Sequence, residues 1–286
     1  MVKEMNLYTP KEIAHNYLAT GEAKTKYPVI KSLILSIMAG IFIALAGVGS
    51  TVAQATVAGT SLAYVGRLMG AMVFPSGLVM VLLTGSELFT GNCLIIIPVL
   101  EKKVRLVSML RNWLIVYSGN FIGSLLIALI TVYGGTYSLF SNAAAVYAIN
   151  TAVAKVSLSF SDALLRGVLC NVLVCVAVWL AYGARDAAGK IIAVFFPVML
   201  FVLCGYEHSI ANMYFIPAGL LASGNPVYLT AFTAAYSADS LNTLTWLSMF
   251  TRNIIPSTIG NIIGGMVVVG MMNWFVYLRK AEDKHS

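Results

Sequence analysis

The sequence predicts an all-α membrane protein of six transmembrane helices, arranged as two inverted three-helix repeats with the second and fifth helices broken. Three observations lead there. Of 286 residues, 59% are hydrophobic and 10% charged, with mean hydropathy +0.86, whereas a soluble globular chain carries about 25% charged residues. The apolar residues gather into six long runs. The chain also contains two short motifs twice, in the same order and on corresponding runs.

The runs lie at roughly 30–53, 68–98, 107–134, 160–184, 190–222 and 247–278, each long enough to cross a bilayer, which takes about 20 residues. The second and fifth are overlong. Short charged segments separate them: EKKVR at 101–105, ARDAAGK at 184–190 and the tail LRKAEDKHS at 278–286. Two longer intervals, 135–159 and 223–246, read as small, polar loops. The polar start, residues 1–28, has no apolar signal core, and residues 10–26 are expected to form a short helix on the membrane surface. This gives an N-terminal segment at 1–28, a six-helix domain at 29–280 with repeats near 29–134 and 160–278, and a tail at 281–286.

Of the 18 Lys and Arg, 14 fall on one side of this map: Lys3, Lys11, Lys24, Lys26, Lys31, Lys102, Lys103, Arg105, Arg111, Arg185, Lys190, Arg279, Lys280 and Lys284. Arg67, Lys155, Arg166 and Arg252 remain for the other. The positive-inside rule then puts both termini in the cytoplasm, which requires an even number of spans. The net charge of +7 is therefore mostly topology. Nucleic acid is not an expected partner, because the basic residues form no patch with interleaved aromatics.

Enzyme chemistry finds no inventory. Cys93, Cys170, Cys175 and Cys204 lie inside apolar runs without a CxxC spacing, His208 is the one histidine within a span, and neither HExxH nor a Walker-type GxxxxGK[ST] occurs. No metal or cofactor is expected.

The repeat carries the architecture. GSELFTGN at 85–92 aligns with GYEHSIAN at 205–212, so that Gly85, Glu87 and Asn92 match Gly205, Glu207 and Asn212. Downstream, RNWLIVYSGNFIG at 111–123 aligns with RNIIPSTIGNIIG at 252–264. Three spans per repeat force the halves to enter the membrane from opposite sides, a transporter or channel plan. The first motif places Gly, Glu and Asn where a continuous helix wants apolar residues, so breaks are expected at 84–92 and 205–212. Irregular backbone at membrane depth is tolerated where it is buried or lines a cavity. The second motif reads as close helix packing, through Gly119, Gly123, Gly260, Gly264 and Gly265.

Ionisable groups within a span are functional candidates. His208, at a break, is the first. Glu87 and Glu207, at equivalent positions, are expected to hold the broken loops together with Asn92 and Asn212, the carboxylates accepting from backbone N–H groups that the break frees. The other pathway candidates are apolar or hydroxylic: Phe74, Leu78, Leu88, Phe89, Thr90, Asn171, Val174, Phe201 and Ser209. Such a constriction excludes a hydrated cation. Lys155, in an outer loop, would concentrate anions near the outer mouth.

The motifs GSELFTGN and GYEHSIANM, with RGVLCNVLVCVAVW at 166–179 and IPSTIGNIIGG at 255–265, resemble the formate/nitrite transporter family across nearly all of residues 28–280. The resemblance implies an aquaporin-like protomer with one pore per subunit, a homopentamer in a bacterial or archaeal cytoplasmic membrane, and small monovalent anions of weak acids (formate, nitrite or hydrosulfide) as substrates. It implies a central histidine at His208, a hydroxyl partner at Thr90 and a pore asparagine at Asn171. The outer constriction falls on Phe74 and Phe201, the inner on Leu78, Leu88 and Val174, and the vestibule lysine on Lys155. Ser86 and Glu87 stand where some formate channels carry Ala-Asp, which leaves the preferred anion open. The alternative is a neutral small-solute facilitator of the same architecture, which would carry paired Asn-Pro-Ala loops; none is present.

Overall fold

The computed structural model describes residues 7–279, and within them the chain is helical throughout, with one isolated β-bridge between Leu7 and Ala184. Lys3, Lys280, Lys284 and the tail at 281–286 lie outside the described residues.

Helix α1 (Pro10–Lys26) begins at a capping box: the Thr9 hydroxyl accepts from Glu12 N, and the Glu12 carboxylate accepts from Thr9 N at 2.7 Å. The Thr9 backbone bond, reinforced by its hydroxyl, holds the Glu12 carboxyl below its ordinary range. The helix expected over residues 10–26 is present, and α1 docks on the protein. It buries Ile13, Ala14, Tyr17 and Leu18, with the Tyr17 ring edge-on to Tyr182 at 5.3 Å.

Among the described residues, six helices are long and apolar enough to span a bilayer: α2 (Val29–Ala55), α3 (Ala63–Thr84), α5 (Leu106–Tyr133), α7 (Phe160–Gly183), α8 (Ala187–Cys204) and α11 (Trp246–Tyr277). The overlong second and fifth runs each resolve into a span and a shorter apolar helix, α4 (Phe89–Leu100) after α3 and α9 (Ser209–Ser223) after α8. Large apolar side chains such as Ile34, Leu114, Ile192, Phe196 and Val276 face outward, as a lipid-solvated surface requires.

The two intervals read as polar loops are instead largely helical: α6 (Ala143–Val156) and α10 (Pro226–Ala235) occupy them. The 14 residues of α6 rise only about 21 Å, too short for a bilayer core of about 30 Å, so span length alone could not reveal them. Its alanine face, with Ile149 and Val156, is buried, and Gly219 of α9 lies against Ala148 and Ala152.

Equivalent helix pairs pack by the same device. Gly123 of α5 lies under the Ile37 carbonyl of α2, and Gly260 of α11 under the Leu164 carbonyl of α7; a Cβ at either glycine would overlap that carbonyl oxygen. Small residues thus bring the backbones into contact. The halves differ in helix type, since α11 carries π-helical turns at Met249–Ile254 and Ile263–Met271 where α5 is α-helical throughout.

Candidate functional site at two helix breaks

Helix α3 stops at Thr84, Gly85 turns left-handed at φ 72°, and the helical backbone resumes at Phe89. Helix α8 stops at Cys204, Gly205 turns left-handed at φ 69°, and α9 starts at Ser209. Glycine meets this conformation without the Cβ penalty other residues carry.

The backbone groups released by each break are met in the same way. Glu87 N donates to Leu35 O at 3.2 Å and Glu207 N to Arg166 O at 3.3 Å. Phe89 N donates to Asn120 Oδ1 at 3.0 Å, and Ser209 N to Asn261 Oδ1 at 2.9 Å. Each asparagine turns its amide back on the loop: Asn120 to the carbonyls of Ser36 and Glu87, Asn261 to those of Gly167 and Glu207.

The glutamates therefore do not serve the backbone. Glu87 accepts from Lys24 at 3.0 Å and from Asn92 at 2.7 Å, while Glu207 accepts from Lys155 at 3.1 Å and from Asn212 at 2.6 Å. Asn112 accepts from Asn92 and Asn253 from Asn212, and their amides reach the carbonyls of Lys24 and Lys155. A buried carboxylate needs a cation and full hydrogen bonding, and here two lysines from the short helices α1 and α6 supply the charge. Lys155 is thus a helix residue with its side chain 16% exposed and paired, in place of the free loop cation expected from the sequence.

His208 sits where the breaks meet. Its Nδ1 accepts from Ala211 N at 3.0 Å, and its Nε2 stands 2.9 Å from Thr90 Oγ1. A backbone N–H can only donate, so Nδ1 bears no hydrogen and the neutral ring carries its proton on Nε2. Nε2–H therefore donates to Thr90, which leaves the threonine hydroxyl hydrogen free to turn elsewhere. Phe201 stacks on the imidazole at 5.8 Å and meets Phe74 edge-on at 5.7 Å.

Three cavities follow one another through this region. The first, about 320 Å³, is lined by Lys155, Glu207, Arg67, Arg166 and Tyr147 and ends on Phe74, Phe201 and His208. The second, about 10 Å³, lies among Phe74, Phe201 and His208 on one side and Leu78, Leu88 and Val174 on the other. The third, about 20 Å³, shares Leu78 and Leu88 with the second and reaches Tyr17, Lys24 and Tyr182. The middle space admits about one water-sized group.

The sequence profile described as Formate/nitrite transporter matches residues 11–275. The chain belongs to the formate/nitrite transporter family. Formate channel FocA of Escherichia coli K12 is 37% identical over 91% of this chain and 90% of its own length. The probable formate transporter of Methanothermobacter thermautotrophicus is 35% identical over 95% of this chain and 98% of its own. Among solved structures, a pentameric formate channel with formate bound superposes with TM-score 0.78 at 35% identity, covering 88% of this chain and 98% of that one. As a member of the formate/nitrite transporter family, the protein is an integral membrane protein of a group that consists of channels and transporters.

Most of the residues singled out for this family's pathway meet in one place: His208, Thr90, Phe74, Phe201, Leu78, Leu88 and Val174 adjoin the middle cavity or hydrogen-bond to a residue that does. Asn171 is different. Fully buried, it gives its amide to Thr90 O at 3.2 Å and Asn261 O at 2.6 Å and does not line these three cavities. Sequence reading missed Lys24, Asn112, Asn120, Asn253 and Asn261. The four asparagines stand in the second repeated motif, as the Asn of Arg-Asn and of Gly-Asn, and their duplication was the available signal.

Proposed function

We propose that the protein conducts small monovalent weak-acid anions, formate or nitrite foremost, through the three cavities, with His208 between two apolar constrictions. The observation that carries this is the narrow middle space, closed by Phe74 and Phe201 above and by Leu78, Leu88 and Val174 below, with one polar side chain, His208, in its wall. The relatives named as formate channels support the solute class.

A bare anion cannot pass such walls. The idealised cost of moving a carboxylate-sized ion into a medium of dielectric about 4 is of order 20 kcal/mol, and several kcal/mol persist after relaxation. The anion therefore gathers in the wide cavity, loses part of its hydration at Phe74 and Phe201, and becomes a stronger base as it does so. It takes a proton there and crosses as the neutral acid. His208 holds the Thr90 hydroxyl through Nε2–H, and Thr90 offers its free hydroxyl hydrogen to the solute. The ring does not supply the proton, because doubly protonated imidazole would set Nδ1–H against the Ala211 N–H.

The equivalence of the two breaks supports halves of inverted topology around a two-fold axis in the membrane plane. The wide cavity then opens outward, both termini are cytoplasmic, and the membrane is the cytoplasmic one. The pentameric relative supports a homopentamer with one pathway per subunit.

Purified protein in proteoliposomes tests the reading. Inward formate and nitrite flux above that of empty vesicles, with little swelling in glycerol or urea, is the expected result. Swelling in uncharged solutes without anion flux would replace it by a neutral-solute facilitator.

A further inference from the structure

The charge of the wide cavity rests on residues that the pathway above does not use. Four ionised side chains line it: Lys155, Glu207, Arg67 and Arg166. Lys155 and Glu207 neutralise each other at 3.1 Å. Among the described residues neither Arg67 nor Arg166 has an ion-pair partner, so the cavity keeps two positive charges, and they belong to the arginines.

Arg67 is held in place. Its Nε donates to Leu203 O at 2.8 Å, meeting a carbonyl that the end of α8 leaves free, and Nη2 lies so close above Gly205 that a Cβ there would overlap it. The contact occurs in one half only: residues 85 and 205 are equivalent, and nothing lies within 4 Å of a Cβ built at Gly85. The ion pairs and asparagine bonds that hold the breaks recur in both halves, so the Arg67 contact, which does not recur, belongs with the His208 contacts to what makes the two ends of the pathway different. Of the five N–H groups of the guanidinium, one is engaged by Leu203 and the Nη edge remains as a planar fork beside the cavity. Such a fork matches two coplanar oxygens and offers no comparable gain to a one-centre anion.

We propose that Arg67 is a specificity-determining residue that receives planar oxyanions, carboxylate or nitrite, in the wide cavity and favours them over hydrosulfide. The inference rests on the pathway reading above and adds the discrimination between anions to it.

The test compares wild type, Arg67→Lys and Arg67→Gln in proteoliposomes, measuring KM for labelled formate and for hydrosulfide (with a sulfide-sensing dye inside) between about 0.01 and about 0.15 M ionic strength, over which the Debye length falls from about 30 to about 8 Å. Lysine keeps the charge and loses the fork, so Arg67→Lys raises formate KM roughly five-fold, at the upper end expected of an exposed pair. It leaves hydrosulfide KM and the salt dependence as in wild type. Arg67→Gln raises both KM values and flattens the salt dependence. Equal effects of Arg67→Lys on the two anions, or none on formate, overturn the fork. An unchanged salt dependence in Arg67→Gln overturns the charge and leaves Arg67 a cap of α8. Wild-type vesicles that take up neither anion overturn the pathway reading itself.

Discussion

Thr90 Oγ1 and His208 Nε2 stand 2.9 Å apart, and among the described residues this is the one side-chain hydrogen bond that joins the first helix break to the second. Thr90→Val removes the acceptor at nearly constant volume and strands a buried N–H, a penalty of about 1–3 kcal/mol. Maximal formate flux is expected to fall about ten-fold or more with KM little changed, while Thr90→Ser stays near wild type. Labelled formate uptake measures both; equal flux in Thr90→Val would mean the pair has no part in permeation.

The tautomer of His208 sets the pH dependence. With Nδ1 occupied by Ala211 N–H, the ring donates from Nε2 and remains neutral, and the proton that crosses comes from solution. The neutral fraction of a carboxylic acid with pKa near 4 falls about ten-fold per pH unit above that value. Formate flux is therefore expected to decline steadily from pH 5 to 8, because raising the pH depletes the crossing species. His208→Phe deletes the donor that holds Thr90 and lowers this flux strongly, leaving any residual flux with the same decline with pH. A flat wild-type profile over that range would show instead that the anion itself crosses.

What could be read without coordinates was whatever repeats or whatever must match the bilayer. The spans showed themselves through length and hydropathy, and the two breaks through Gly85 and Gly205 with their polar followers. Lys155 was placed by the charge map but misassigned to a loop, because Ala143–Val156 is too short and too alanine-rich to stand out as a membrane helix. Its partner could not be foreseen either, since 52 residues separate Lys155 from Glu207 and 63 separate Lys24 from Glu87. Such pairings depend on the short helices α1 and α6 folding back onto the breaks, which no local periodicity encodes. Asn171 carried the right residue type, yet both of its amide hydrogens go to the backbone, a choice that only the position of neighbouring carbonyls decides.

The ion pairs at the breaks predict a stability signature. Glu87 and Glu207 have side chains 2% and 5% exposed, each facing one lysine. Breaking a buried pair by removing one partner typically costs about 3–5 kcal/mol, because the remaining charge is left uncompensated. Lys24→Met and Lys155→Met should each lower the melting temperature of the detergent-solubilised protein markedly. Combining Lys24→Met with Glu87→Gln should recover part of the loss, since no charge is then stranded. Additive losses in the double variant would argue that the lysine acts through its aliphatic packing.

The left-handed glycines at the two breaks, Gly85 and Gly205, separate strain from function. A Cβ at Gly85 meets nothing within 4 Å, so Gly85→Ala is expected to suffer only the conformational penalty of about 1–2 kcal/mol. Gly205→Ala carries the same penalty, from φ 69° against 72°, and also drives its methyl into the Arg67 guanidinium. That guanidinium ends a flexible side chain, so it yields, and the additional loss falls on the cavity rather than on the fold. The two variants should therefore melt at similar temperatures while Gly205→Ala alone shows a raised KM for formate. Equal KM values in the two would mean that the guanidinium's position over Gly205 has no bearing on how the anion is received.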